Sequence, residues 1–283
     1  MKKLLAFAAV AAMTVSLASC NKDKGPDSGK DGDQNTVKRE WRITSMSDNW
    51  GGGYTYTYDA QGRVASVVSE GDNRVFEYEG NKLTIKNGGA IEYEMTLNAD
   101  GFATEVKNAE HTWTITYDKN GYMVEGKKDG EKCTGQSVED GNVLYWERYD
   151  SEHDFWRRKE ATYFAKINSG CVQTHYSEDL GFSRWAWEAR LFGNTSVNVM
   201  ESCVWVNFGD EKAAKTAVYE YEYDSNGLIT KECKYYGVWN ETDLTGMDED
   251  SQTTFTWEKI KKVPSLISRK AGPCGSAFLL LSA

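Results

Sequence analysis

Tryptophan is the residue type whose spacing points most directly to chemistry in this chain. Trp185 and Trp187 stand two residues apart, so they share one face of a predicted strand. Exposed indole rings stack on sugar rings or other apolar ligands, which makes both residues candidate ligand contacts. Core packing is the favoured alternative, because Ala186 and Glu188 alternate with the two rings as they would beside a buried face.

No motif assigns a catalytic residue, a cofactor or a metal. His111 lies on the apolar face of a predicted strand, which is typical of a core histidine. His153 stands in an acidic segment, but a solvated loop is favoured because no ligand spacing matches a known metal site. With 43 acidic residues, a carboxylate pair suited to glycoside hydrolysis arises by chance and carries no information.

Cys20 has the most specific sequence context. A positively charged start, an apolar run over 4–17 and two small residues precede it, in the order of a secretory signal. The ending Leu-Ala-Ser-Cys at 17–20 resembles a bacterial lipobox, which implies cleavage before Cys20 and acylation of this cysteine. We therefore expect a removed signal peptide over 1–19 and a lipid anchor on Cys20. An ordinary secretory signal with a chance cysteine is the alternative.

The five other cysteines show no Cys-x-x-Cys pair and no zinc-finger spacing. Buried thiols are favoured for most of them, although an exported protein could oxidise some. Their pairing stays open. They are Cys133, Cys171, Cys203, Cys233 and Cys274.

The segment after the predicted lipid site indicates a location. Residues 20–36 contain no aromatic or aliphatic side chain, which predicts a disordered tether. Asn21 stands where aspartate is the inner-membrane retention signal of the best-known sorting systems, so the outer membrane is favoured, with surface exposure left open.

Without residues 1–19 the chain has 31 basic and 43 acidic residues, a net charge of −12, which argues against nucleic acid as a partner.

Residues 37–263 have the pattern of one all-β domain. Proline is absent from this range, and aromatic or β-branched residues alternate with polar ones over 54–58, 91–97, 111–117 and 219–223. The motif Tyr-Asp-x-x-Gly recurs and predicts type I turns that end in a left-handed glycine. Its turn residues are Asp59 and Gly62, Asp118 and Gly121, and Asp224 and Gly227. A turn spacing of about 20 residues is that of a repeated hairpin, which predicts an antiparallel meander.

Two resemblances extend this interpretation. Tyr-x-Tyr-Asp-x-x-Gly-Arg-Val at 56–64 resembles the tyrosine-aspartate repeat of large bacterial wrapping-shell proteins. The lipobox, the acidic linker, the hairpins and Glu-Gly-Asn-Lys-Leu-Thr-Ile at 79–85 together resemble gut-bacterial lipoproteins whose domain of unknown function is porin-like in fold. This resemblance covers roughly 40–262 and weakens over 143–215, where 157–166 and 210–216 are candidate short helices. It implies a fold and transfers no catalytic residue.

A true membrane pore is disfavoured. A spanning barrel needs strands of about 9–11 residues with an unbroken apolar outer band, and the clearest strands here are shorter. We expect a water-soluble, strongly curved sheet or barrel with a packed aromatic interior. The tail over 264–283 departs from the pattern, and the sequence leaves open whether it is a disordered end, an added strand or a reading-frame accident.

The favoured function is a non-enzymatic, outer-membrane-anchored lipoprotein whose domain binds a glycan or a protein partner or has a structural role. One alternative is a β-rich hydrolase of polysaccharides, which predicts a cleft with two carboxylates and at least one perturbed pKa. Another is a subunit of an outer-membrane complex, which predicts a large exposed apolar patch.

Overall fold

The computed structural model describes residues 40–150, 155–173, 180, 182–207, 215–238 and 248–260. The predicted signal peptide, Cys20, the tether and the tail over 264–283 lie outside the described residues, as do His153 and Cys274.

The described residues form sixteen strands and one short helix. In chain order they are β1 (Trp41–Asp48), β2 (Gly53–Tyr58), β3 (Val64–Ser69), β4 (Asp72–Glu79), β5 (Lys82–Asn87), β6 (Ala90–Leu97), β7 (Ala103–Lys107), β8 (Thr112–Tyr117), β9 (Met123–Lys128), β10 (Glu131–Glu139), β11 (Asn142–Asp150), β12 (Phe155–Ile167), α1 (Arg184–Glu188), β13 (Asn198–Asn207), β14 (Lys215–Tyr223), β15 (Ile229–Val238) and β16 (Asp248–Lys259).

The strands make a meander that closes on itself. Each strand pairs antiparallel with its neighbour in the chain, and β16 pairs with β1, where Trp41 lies opposite Lys259 and Asp48 opposite Thr253. The predicted all-β fold of repeated hairpins is confirmed, and of the two forms expected, a curved sheet or a barrel, the described chain forms a closed barrel.

The repeated Tyr-Asp-x-x-Gly segments lie in the turns between β2 and β3, β8 and β9, and β14 and β15. In the first of these turns the Asp59 carboxylate accepts hydrogen bonds from the backbone N–H groups of Gln61 and Arg63, both at 2.9 Å. Gly62 follows with φ of +83°, a conformation that glycine adopts without strain. Asp118 and Asp224 accept from the equivalent amides, so one local motif closes three hairpins in the same way.

Two local expectations were wrong. Residues 157–166 belong to the long strand β12 and are not helical. Conversely, Trp185 and Trp187 lie in α1 and not in a strand. The other candidate helix, 210–216, lies mostly outside the described residues, and Lys215 already begins β14.

Strand alternation separates an apolar inside from a polar outside. Buried side chains such as Ile85, Val106 and Ile115 point inward, and the exposed positions between them carry threonine, glutamate and lysine. The interior is filled by the described part of the β12–β13 connection, residues 168–173, 180 and 182–197, which we call the plug.

The plug packs against strands from around the barrel. Phe182 contacts the rings of Tyr93 on β6 and Trp113 on β8, with centroids 4.7 and 5.8 Å apart. Trp185 meets Phe76 on β4 edge to face at 6.0 Å. Backbone hydrogen bonds tie the plug to the wall as well, for example from the Ala103 N–H to the Leu191 carbonyl at 2.8 Å. The barrel therefore has a solid aromatic core.

Candidate functional site

The two tryptophans proposed as ligand contacts are part of that core. Trp185 is 3% exposed and Trp187 is 2% exposed, and Trp187 packs on Phe192 at 5.0 Å between ring centroids. The core packing that the sequence favoured is thus what the structure shows, although on a helix. A stacking role for these rings in glycan binding stays a prediction, and in this conformation neither ring presents an open face to solvent.

The same helix carries a buried charge cluster. The Arg184 guanidinium lies 3.2 Å from the Glu188 carboxylate and 2.9 Å from the Glu232 carboxylate of β15. Glu188 also accepts hydrogen bonds from the Gln173 backbone N–H at 3.1 and 3.2 Å. Both carboxylates are almost fully buried, at 3% and 5% exposed. One cation therefore faces two acids inside the barrel, where solvation is weak.

Burial dominates the protonation of Glu188. It raises the pKa of Glu188 to about 7, although Arg184 and the Gln173 amide act in the opposite direction. This carboxyl gains or loses its proton near neutral pH. This cluster was not predicted from the sequence, where its signal is the i, i+4 spacing of arginine and glutamate at 184 and 188, typical of one helix face.

The cluster does not have the form that a hydrolase requires. A glycosidase places its acid and its base on either side of a substrate, in a cleft that the sugar can enter. Here the two carboxylates share Arg184 within the packed core and have almost no exposed surface. The raised pKa of Glu188 is explained by its burial in the barrel interior, and it gives the hydrolase alternative no support.

The outer face of the barrel is mostly polar, although it also carries exposed apolar side chains such as Val68, Val75 and Ile91. Hydroxyl pairs connect adjacent strands, including Thr44 with Thr256 at 2.7 Å and Thr57 with Ser66 at 2.6 Å. Ion pairs lie on the same face, among them Lys86 with Glu77 at 2.7 Å and Lys107 with Glu105 at 2.8 Å. This outer face suits contact with water.

A cleft of about 530 Å³ interrupts the wall between β12 and β14. One side is the exposed segment Phe164, Ala165 and Lys166, and the other is the run Tyr219–Tyr223 with Cys233 behind it. The Lys166 ammonium lies over the Tyr223 ring, 3.0 Å from its centroid, and so closes one end. This cleft is a concave site lined by described residues of the barrel wall.

The remaining candidates show no reactive arrangement. His111 is partly exposed, and its Nδ1 lies 2.7 Å from the Asp129 carboxylate, so this histidine belongs to a surface turn. Cys133, Cys171, Cys203 and Cys233 are free thiols, and the last three are buried. Among the described residues no cluster of histidine, cysteine and carboxylate side chains could hold a metal ion.

Within the described part of the chain, no helix combines the length and the apolar character that a bilayer-crossing helix needs.

Comparison with known proteins supports the fold. No family model matches the chain, and no curated protein matches it. Among solved structures, the chain is similar to a porin-like protein from Bacteroides uniformis, with 15% sequence identity and a TM-score of 0.59. The match covers 76% of this chain and 96% of that one. The porin-like fold implied by the sequence resemblance is therefore confirmed, whereas the identity is too low to transfer a function.

Proposed function

We propose that this chain is an outer-membrane protein held by a lipid on Cys20, and that its barrel stands outside the bilayer as a non-enzymatic binding or structural module. The observation that carries the proposal is the polarity of the barrel. A porin-like fold by itself suggests a pore, and the distribution of polar and apolar side chains argues against one here.

A membrane-spanning barrel exposes an apolar band about 25 Å tall to lipid, with aromatic girdles at both interfaces. On this barrel the outward positions include threonine and serine ladders and the exposed pairs Lys86–Glu77 and Lys107–Glu105. A lysine facing lipid at the bilayer midplane costs about 2–4 kcal/mol. Several such residues on one wall make insertion unfavourable.

The interior leads to the same conclusion. A porin has a polar, water-filled lumen, whereas this barrel is lined by buried apolar residues and filled by Phe182, Trp185, Trp187 and Phe192 of the plug. A solute would have to displace that core to pass through. A barrel with an apolar interior and a polar exterior has the polarity of an ordinary globular domain. Such a domain needs a lipid anchor to stay at a membrane.

The partner of such a module is a glycan or a protein, bound on the outer surface or at the barrel ends. The net charge of −12 makes nucleic acid an unsuitable partner. The packed core of the described residues supports a role as a rigid scaffold. Within that core the carboxyl group with a raised pKa, Glu188, is not accessible to a substrate, so the non-enzymatic role is preferred over hydrolysis.

The decisive experiment separates anchoring from insertion. The full chain and its Cys20→Ala variant would be expressed in a diderm bacterium and fractionated, with labelled palmitate as a readout of acylation. We expect the parent chain in the outer membrane and labelled, and the variant unlabelled and absent from the outer membrane. The matched control Cys133→Ala removes a different, partly buried thiol and should leave both results unchanged.

A spanning barrel would give another result. It would stay in the membrane fraction without its lipid, since its wall alone would hold it there. Retention of the unlabelled Cys20→Ala variant in washed outer membranes, separated from the inner membrane, would therefore refute the proposal.

A further inference from the structure

The wall of the barrel has an open seam beside the cleft. Among the described residues, β13 and β14 pair only at Ser202 with Val218, Cys203 with Ala217 and Val204 with Thr216. Beyond Val218, β14 continues to Tyr223 as a strand, yet the ladder with β13 stops. The described chain therefore contains a strand segment, Tyr219–Tyr223, that is paired with β15 on one side and with no strand on the other.

The backbone groups at this seam point into the cleft. In the turn after β14, the Asp224 N–H donates to the Leu228 carbonyl at 2.9 Å, so the backbone of Asp224 faces β15. Hydrogen-bonding direction alternates along an antiparallel strand. The N–H and C=O groups of Tyr219, Tyr221 and Tyr223 therefore face the seam, and all three residues line the cleft. Such an edge is a template for an added strand.

The opposite side of the cleft is shaped by an irregularity in β12. Tyr163 lies opposite Met200 and Ile167 opposite Asn198, so the three residues between them, 164–166, face a single residue of β13. This bulge moves Phe164 outward, where it is 38% exposed, and places it across the cleft from the tyrosine edge. Val199 and Met200, consecutive residues of β13, are both fully buried. A strand in the cleft would thus lie between the Phe164 segment on one side and the tyrosine edge on the other.

We propose that the chain's own C-terminal segment, Ser276–Ala283, fills this cleft and adds to β14 as an antiparallel strand. The sequence of the segment, SAFLLLSA, has an apolar run without charge or alternation, which is typical of a strand buried on both faces. The basic residues that lead to it, at 261, 262, 269 and 270, complement Glu220 and Glu222 at the cleft.

The connection has the reach for this placement. The described chain leaves β16 at Ile260, at the barrel end where Trp257 Nε1 donates to the Ile229 carbonyl and Tyr223 pairs with Ile229. The cleft lies on the far side of β14, three strand spacings or about 14 Å from β16. The 15 residues between Ile260 and Ser276 span up to about 50 Å when extended. A segment entering from this end runs opposite to β14, which is the antiparallel direction.

Hydrogen exchange of the β14 amides tests the proposal. In the full chain we expect the amides of Tyr219, Tyr221 and Tyr223 to be as protected as those of a central strand. A chain that stops at Val263 should exchange these three amides about 100-fold faster, whereas Glu220 and Glu222, which face β15, should change little. Adding a synthetic peptide of residues 264–283 should restore protection.

A point variant keeps the test valid if the shortened chain fails to fold. Leu280→Asp places a carboxylate in the cleft beside Glu220 and Glu222 and should release the segment, while Leu266→Asp changes a leucine outside it and should leave exchange unaltered. Unprotected amides in the full chain would overturn the proposal. Protection that persists in the shortened chain would overturn it as well, because another segment would then occupy the cleft. Protection found only in a dimer would overturn it too, because the strand would then come from a second copy.

Discussion

Strands β1 to β9 contain five to eight residues each, whereas β10 to β16 contain nine to thirteen. In the first region, tight turns join all consecutive strands, and hairpin follows hairpin at a nearly constant spacing. The second region contains the plug, the three-residue bulge of β12 and the open seam of β14. One barrel is therefore assembled from a regular arc and an irregular arc.

The difference shows how the two arcs depend on each other. The plug belongs to the irregular arc by chain position, but its rings pack on Phe76, Tyr93 and Trp113 of the regular arc. Short hairpins with one apolar face have no independent core, because a two-stranded hairpin is marginally stable in water. The regular arc supplies the shape of the wall, and the irregular arc supplies the apolar contents that stabilise it.

The largest expected effect comes from emptying the plug. Trp187→Ala should lower the free energy of unfolding by about 3–5 kcal/mol, because it removes a fully buried indole and leaves a cavity. Urea unfolding monitored by circular dichroism measures this. Trp50→Ala, at a hairpin tip and 76% exposed, is the matched control and should stay within about 0.5 kcal/mol. Equal effects at the two sites would mean that the regular arc is stable without the plug.

A second effect appears with pH. The folded-state pKa of Glu188, about 7, lies above the unfolded value of about 4.3. The folded state therefore holds this proton more tightly, and the contribution of Glu188 to stability is fully present below about pH 4.3 and lost as pH rises through 7. The loss is on the order of 3 kcal/mol.

Denaturant midpoints taken between pH 5 and pH 8 test this prediction. The parent chain should lose stability across that range, and Glu188→Gln should flatten the profile because the amide does not titrate. Glu222→Gln changes an exposed glutamate of β14 and should preserve the parent profile. If the stability of the Glu188→Gln variant still falls between pH 5 and pH 8, another group must be responsible for the pH dependence.

The smallest expected effect comes from the glycine of the Tyr-Asp-x-x-Gly turn, compared between the regular arc and the irregular arc. Gly121 and Gly227 both have positive φ, +78° and +76°, so alanine at either costs about 1 kcal/mol in backbone strain. At Gly121 a Cβ would also lie 2.8 Å from the Phe102 ring and 2.9 Å from the Asn194 amide of the plug, whereas at Gly227 nothing lies within 4 Å. Gly121→Ala should therefore cost about 2–3 kcal/mol. Thermal unfolding of both variants measures the difference, and equal losses would show that the plug yields at that contact.

Predictions from the sequence succeeded for the regular hairpins and failed for features of the irregular arc. Hairpins were predictable where alternation and the Tyr-Asp-x-x-Gly turn coincide, because the Asp59 carboxylate and the φ of Gly62 act within five residues. The bulge at 164–166 and the strand character of 157–166 were not, since both depend on pairing with β13. The charge cluster was missed because Glu232 meets Arg184 across 48 positions of the chain.

The sequence by itself determined the all-β class, the hairpin repeat and the positions of the turns, because these depend on side-chain periodicity and on the conformations open to glycine and aspartate within a few residues. Only the tertiary structure decided that the meander closes, that the plug turns inward and that Trp185 and Trp187 lie on a helix. The helix has only five residues, and both of its ends carry charged side chains, so it is too short to show the periodic apolar pattern that a longer amphipathic helix carries. The alternation of polar and apolar residues was visible in each strand. Which of the two faces lies inside the barrel became clear only from the pairing of β16 with β1.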